Sequence, residues 1–265
     1  MDPRTVDMLR QLNDDFYRRC APSFSNTRQA PWEGWRACLP LLREASRDDG
    51  TGGRKLELID VACGNGRFEA FLADELPDVD VRATAVDDCD ELTAGAHVPG
   101  ATFKRFDALE TLAAGCAWRE ELPVADAAVS FGFLHHIPSR AFRERALAEL
   151  LDLVRSGGVA IVSLWCFLED ERLARKAERS HPAALAALAS EAQACDIDLA
   201  SELEPGDRFL GWQDAGDLWR YCHSFDDAQA DELAAAVRGR ADEAARFRSD
   251  GKSGRLNIYL AFRKH

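Results

Sequence analysis

No C-x-x-C pair occurs among the eight cysteines of this 265-residue chain. They stand at positions 20, 38, 63, 89, 116, 166, 195 and 222, scattered along the whole length. A zinc site read from sequence needs clustered ligands, so this spacing predicts reduced, mostly buried thiols and no metal centre. Long hydrophobic runs are also missing, so no membrane span is expected and no membrane partner. The opening MDPRTVDMLR has no signal-type apolar stretch, which predicts a cytoplasmic location.

Positive charge is scarce. Thirty-three Lys and Arg face 46 Asp and Glu, for a net charge of −13. That balance argues against indiscriminate affinity for nucleic acid, which depends on neutralising phosphates. The deficit is local, however. Residues 1–47 hold 8 Arg and 6 acids, and residues 205–265 hold 10 bases and 10 acids. Residues 48–204 hold 15 bases and 30 acids. A local basic patch therefore stays open.

What is present is alternation of strand and helix. Val6, Leu9, Leu12 and Phe16 predict a helix over 4–20, followed by a polar loop. Pro31 suits the first residue of a second helix reaching about Arg47, and SRDDGTGGRK is a break. Leu56, Leu58, Ile59 and Val61 make a buried strand, then a glycine turn, then a helix over about 67–76. DVDVRATAVDD, ATFKRFDA and ADAAVSFGFLHH read as three further strands. PSRAFRERALAELLDLV is a helix closed by SGG as a glycine C-cap, and VAIVSLWCF is a fifth buried strand. Residues 168–211 turn charged and Ala-rich, an insertion or lid. A helix over 226–237 and strands near 243–249 and 256–263 finish the chain, with SDGKSG as a hairpin turn. Near-continuous apolar strands between helices mean a mostly parallel, doubly wound α/β sheet.

The chemistry gathers at DVACGNG, residues 60–66. Gly64 and Gly66 lie between strand and helix, where a cofactor can approach backbone. A dinucleotide fingerprint wants a third glycine where Glu69 stands, and Glu would face a pyrophosphate unfavourably. Asp60 suits an ammonium instead. A cofactor with a cation and no phosphates, S-adenosylmethionine (SAM), satisfies both observations. Asp87 and Asp88 end the second strand, placed for ribose hydroxyls. Asp107, with Ala108 beside it, is placed for an adenine amino group. Ala62 in the turn and Phe131 after the fourth strand complete the expected cofactor contacts.

DVACGNG, FDA and ADAAVSFGFLHHI…LVRSGG resemble the seven-stranded, Rossmann-like SAM-dependent methyltransferases of the type 11 group. APSFSNTRQAPW, FLHHIPSRAFRERALAELLDLVRSGG and RFLGW…LWRYCHSFDDAQADEL resemble the tRNA wobble-uridine carboxymethyl methyltransferases. The chain departs from that pattern at Cys222, where an aromatic is expected, and at Gly211, where a proline is expected. The resemblance implies residues 1–47 as a helical cap, 54–167 as the SAM-binding core, 168–211 as the insertion and 212–265 as the closing part of one domain. It implies methyl transfer to a 5-carboxymethyl group, with S-adenosylhomocysteine (SAH) as product. It also implies a small zinc-binding activator protein as partner.

A carboxylate acceptor is already ionised at pH 7, so such a site must position an anion and exclude water. Arg28 in SNTR, Arg220 in WRYCH and His136 in LHH are the candidate catalytic residues. Trp32, Trp212, Tyr221 and His223 are the candidate substrate contacts, the tryptophans by stacking. Trp35 and His135 are read as structural, Arg143 and Arg145 as solvated helix charges. Two rival readings remain: a methyltransferase for a small-molecule acceptor, and a non-catalytic SAM-binding protein.

Overall fold

The computed structural model describes residues 1–27, 30–212 and 215–265, with backbone alone for 215–217. Helices α1 (Pro3–Asn26) and α2 (Glu33–Ala45) lead into a short strand β1 (Arg47–Asp48) and the first core strand β2 (Arg54–Val61). Then follow α3 (Arg67–Glu75), β3 (Val79–Asp87), α4 (Asp90–Thr93), β4 (Ala101–Arg105), α5 (Ala108–Ala113) and β5 (Ala125–Ser130). Next come α6 (Arg140–Asp152), β6 (Val154–Trp165), α7 (Glu171–Ala194), α8 (Leu199–Glu202), β7 (Asp207–Trp212) and β8 (Ala215–His223). The chain closes with α9 (Asp227–Val237), β9 (Ala241–Ser249) and β10 (Asn257–Lys264).

The central sheet runs β4-β3-β2-β5-β6-β10-β9, with β1 paired to β2. Strands β2 to β6 pair in parallel, while β10 and β9 are antiparallel. Strand order reverses between β2 and β5, which opens a crevice at their carboxyl ends. Side-chain alternation explains the two core layers. Leu56 and Leu58 pack with Trp35, Leu42, Phe68 and Phe71 on one face. Ile59 and Val61 pack with Leu147, Leu150, Leu151 and Leu233 on the other. A third cluster lies off the sheet: Leu9 of α1, Leu188 of α7, Phe209 of β7 and Tyr221 of β8. It fastens α1, α7 and the two-stranded β7–β8 sheet into one cap.

Several sequence expectations give way here. Helix α1 does not stop near 20 but runs through Pro22 to Asn26. Buried Ala21 packs on Cys89 and Leu92, with Phe24 and Tyr17 against the same cluster, and this packing outweighs the proline signal. Pro31 precedes the N-cap of α2, Trp32, and is not the first helical residue. The SGG segment is not a helix cap, because α6 ends on Leu153 in a right-handed conformation. Gly158 instead lies in β6, where an added Cβ would sit 2.4 Å from the Asp126 carbonyl. The β7–β8 pair was not foreseen at all. All eight cysteines are free thiols; Cys116 and Cys195 are exposed and Cys63 half-buried. Among the described residues no helix is long and apolar enough to cross a membrane.

Candidate active site

A cleft of about 1370 Å³ opens at the carboxyl ends of β2 to β5, beneath the cap. Its floor is the turn after β2. Gly64 and Gly66 both take left-handed φ values, +59° and +72°. At Gly66 an added Cβ would also come within 2.8 Å of the Phe103 ring, so glycine is required twice over. Ala62, at φ +62°, adopts the same region without being glycine. Asp87 fixes the turn from β3. Its carboxylate accepts from the backbone N–H of Gly64 at 2.8 Å and of Cys89 at 3.0 Å. Burial, then the neighbouring charge of Asp88, pushes the Asp87 pKa up to about 7.

Asp60 lies one layer beneath this floor, 2% exposed. Glu69, from the first turn of α3, is buried against it, and burial raises both carboxyls, Asp60 further through the charge of Glu69. Asp60 Oδ1 and both oxygens of Glu69 meet no donor among the described residues. The two carboxyls form an acidic pair behind the glycine turn, of the charge type that suits the ammonium end of SAM. Glu69 was read only as an obstacle to pyrophosphate; its pairing with Asp60 needs the fold.

Asp88, Asp107 and Asp14 of α1 bring their carboxylates within 4.8 Å of one another. Arg10 bridges Asp14 and Asp107, 3.2 Å from each. Asp107 also caps α5, accepting from Glu110 N at 2.7 Å, so its oxygens are more occupied than expected of an adenine acceptor. Burial and the charges of Asp88 and Asp107 push Asp14 up to about 7. Asp87, Asp88, Asp107, Ala108, Phe131, Ala62 and Gly64 line the cleft; Asp60 and Gly66 lie behind its lining.

The opposite end of the cleft holds His136, Arg220 and two residues of α1 that sequence reasoning missed. The Arg220 guanidinium donates to Tyr17 Oη at 2.8 Å. Tyr17 Oη lies 2.7 Å from His136 Nε2, and His136 Nδ1 lies 3.0 Å from the Tyr221 carbonyl. Asn13 Nδ2 also approaches Nδ1, at 3.3 Å, but the carbonyl is nearer and only accepts, so Nδ1 carries the proton and Nε2 accepts from Tyr17. Asn13, 7% exposed, pins the same strand: its Oδ1 accepts from Tyr221 N at 2.7 Å and its Nδ2 donates to Tyr221 O at 3.2 Å. Arg10, Asn13, Asp14 and Tyr17 fall at i, i+3, i+4 and i+7. That polar stripe beside the apolar one was the available signal.

Arg220 is 5% exposed and carries no carboxylate partner among the described residues. Rings of Phe16, Tyr17, Phe24, Trp165 and Trp212 surround its guanidinium at 5.3 to 6.0 Å. Its buried Nε has no hydrogen-bond partner among the described residues. Trp212 is fixed by its own donation to Ser23 Oγ at 2.9 Å. Trp32 lines the cleft, stacked on Trp35 at 5.4 Å, with Arg67 over both rings. Trp35 is core, as expected.

Tyr221 and His223 are fully buried away from the cleft, both hydrogen-bonded to Asp207 Oδ1 at 2.7 Å, because strand alternation turns them under the β7–β8 pair. They are structural, not acceptor contacts. Arg143 is not solvated: it is 3% exposed, donates to Ile137 O at 3.1 Å and pairs with Glu204. Arg145 donates to the carbonyls of Leu112 and Cys116. Arg28 lies outside the described residues. His135 lines the cleft, and with His136 and Cys222 it forms a buried group of metal-type donors that sequence spacing did not foreshadow.

A parallel sheet with a glycine turn at its switch point, acids on successive strand ends and a capped cleft defines a SAM-dependent methyltransferase. The family model described as "Methyltransferase domain" matches residues 24–224, and the chain belongs to that family. The chain is 26% identical over 160 residues to an Arabidopsis thaliana tRNA (carboxymethyluridine(34)-5-O)-methyltransferase, covering 58% of this chain and 33% of that one. A Xenopus tropicalis protein of the same description is 31% identical over 156 residues, 58% of this chain and 21% of its own. The matched stretch thus spans a third or less of these relatives. Among solved structures, a DhpI–SAH complex superposes with a TM-score of 0.57 at 16% identity, covering 97% of each chain. A Burkholderia thailandensis 1,6-didemethyltoxoflavin-N1-methyltransferase with bound SAH gives 0.56 at 15%, covering 98% of this chain and 90% of that one. At such identities these likenesses bear on fold.

Proposed function

We propose that the acceptor is a carboxylate, with the 5-carboxymethyl group of a tRNA wobble uridine as the acceptor of choice. The observation that carries this reading is Arg220, a buried cation on the cleft lining with no carboxylate partner among the described residues. A buried unpaired guanidinium is costly, and an incoming carboxylate supplies the missing acceptor. The partial relatives named above act on a carboxymethyluridine by their descriptions. SAM, once bound, supplies an electrophilic methyl group on a sulfonium. The chain's own residues then have three tasks. Asp60 and Glu69 attract the cofactor's ammonium, and Asp87 with Asp88 offers acceptors to its ribose. Arg220 and the aromatic rings around it orient the acceptor and keep water out. Trp32, at the cofactor end of the cleft, offers a face for a planar base.

A second reading rests on a different observation. The Tyr17–His136 pair can take a proton, which a carboxylate acceptor never releases. That pairing favours a small hydroxyl-bearing acceptor. Radiolabelled SAM separates the two. Label transferred to tRNA from cells lacking this protein, and released by mild alkali as methanol, marks a carboxyl ester. Alkali-stable label in a metabolite extract would sink the carboxylate reading.

A further inference from the structure

Helix α7 carries Arg172, Arg175, Lys176 and Arg179 at i, i+3, i+4 and i+7, so all four share one face. Its apolar face, with Ala177, Ala184 and Leu188, is turned into the cap. Arg172, Arg175, Arg179 and Lys252 border one shallow surface depression, together with Asp170 and Glu171. Arg172 and Lys176 also line the cleft that holds Arg220. The cationic face therefore continues from the open surface to the buried guanidinium.

A row of charges on a helix is ordinarily just a solvated face, and two facts separate this row from that case. Lys176 is half-buried, and its pKa is lowered by burial and then by Arg220, Arg172 and Arg179. Nearby acids neutralise the group only in part: Asp170 caps Leu173 N, and Glu171 pairs with Arg175 alone. Arg172, Lys176 and Arg179 form no ion pair among the described residues. Like charges are held together at a cost, within the half of the chain where acids outnumber bases two to one.

We propose that this face of α7, extended by Lys252, holds the phosphate backbone of an RNA strand and leads its modified base into the cleft. The inference rests on the RNA reading of the acceptor given above. It assigns the 168–211 segment the work of substrate docking: phosphates on α7, the base at Arg220. Contacts of this kind position a strand without reading its sequence.

The test uses the full chain with SAH bound and a fluorescently labelled RNA anticodon stem-loop, titrated between 50 and 200 mM salt. Five phosphate contacts, four on α7 and one at Lys252, give a log K against log salt slope of about −3.5, at about −0.7 per contact for single strands. R175E/R179E changes two exposed residues outside the cleft. Its RNA affinity should fall tenfold or more, its slope should shrink by about 1.4, and its SAH affinity should be unchanged. K252E, alone, should weaken RNA binding in the same direction. An R175E/R179E protein that still binds SAH and binds RNA as tightly, with the same slope, overturns the docking face alone. Wild-type protein that binds no RNA at 50 mM salt overturns the docking face and the RNA reading together. Binding of phosphatidylserine vesicles through the same residues, with no RNA bound, would assign the face to a membrane surface and equally overturn it.

Discussion

Arg220 shows how one residue can be both a structural liability and a functional asset. The aromatic rings around it supply cation–π attraction, worth roughly 0.5–2 kcal/mol each when well placed. They satisfy none of its remaining N–H groups. Arg220→Ala should therefore lower kcat/KM for the true acceptor about 100-fold, near 3 kcal/mol of lost transition-state stabilisation. SAH affinity, measured calorimetrically, should stay within about twofold. Tyr17→Phe keeps the ring and removes the link to His136 together with the acceptor of one Arg220 N–H. A carboxylate acceptor should feel it weakly, about tenfold or less, whereas an acceptor that gives up a proton should lose about 10²–10⁴-fold. The ratio of the two effects is thus a second readout of the acceptor's chemistry.

At the scale of the element, α1 deserves its place by what it carries on two faces. Leu9, fully buried, packs with Phe209, Tyr221 and Leu188. One helical turn away, Asn13 grips the backbone of β8, and Tyr17 reaches His136. Leu9→Ala should cost about 2–5 kcal/mol in chemical denaturation. It should also reduce kcat more than SAH affinity, since the acceptor end of the cleft hangs on α1 while the glycine turn belongs to the sheet. Equal losses in both would mean that the cap and the core unfold as one. The polar stripe on α1 was readable as a pattern, but its meaning was not. Whether Tyr17 meets solvent or His136 depends on where the helix docks, and nothing local to residues 3–26 decides that.

At the scale of the whole molecule, buried and clustered acids make the ligand-free protein pH-sensitive. Asp87 and Asp14 are pushed up to about 7, and Asp60 and Glu69 are raised as well. An acid with a raised pKa holds its proton in the folded state after the unfolded chain has released it. Between about pH 4 and pH 7 the native state therefore binds more protons, and stability falls as pH rises. For Asp87 alone the loss is on the order of 2–4 kcal/mol. Thermal melts of the free protein should show a lower Tm at pH 8 than at pH 5.5. Glu69→Gln, which removes one acid and keeps the shape, should flatten that profile. A wild-type Tm that rises over this range would show the acids to be charged in the fold already.

Much of the cofactor half was legible in residues 54–167. A buried strand, a left-handed glycine turn and acids at strand ends are local facts, set by φ/ψ sterics and by period-two burial, so adjacent residues suffice to reveal them. The acceptor half was legible only as names. Arg220 and His136 were picked out, yet Tyr221 and His223, equally polar in the same run, turned out to be buried around Asp207. Register decides which residues of β8 face the cleft, and that register is set by pairing with β7 and by α1, far away in the chain. The sequence by itself determined the sheet, the turn and the cofactor class, because these follow from near-neighbour sterics and burial period. Only the tertiary structure decided the Tyr17 relay, the Asp60–Glu69 pair and the cationic face of α7 leading to Arg220, because each arises where segments distant in the chain bring polar groups together out of water.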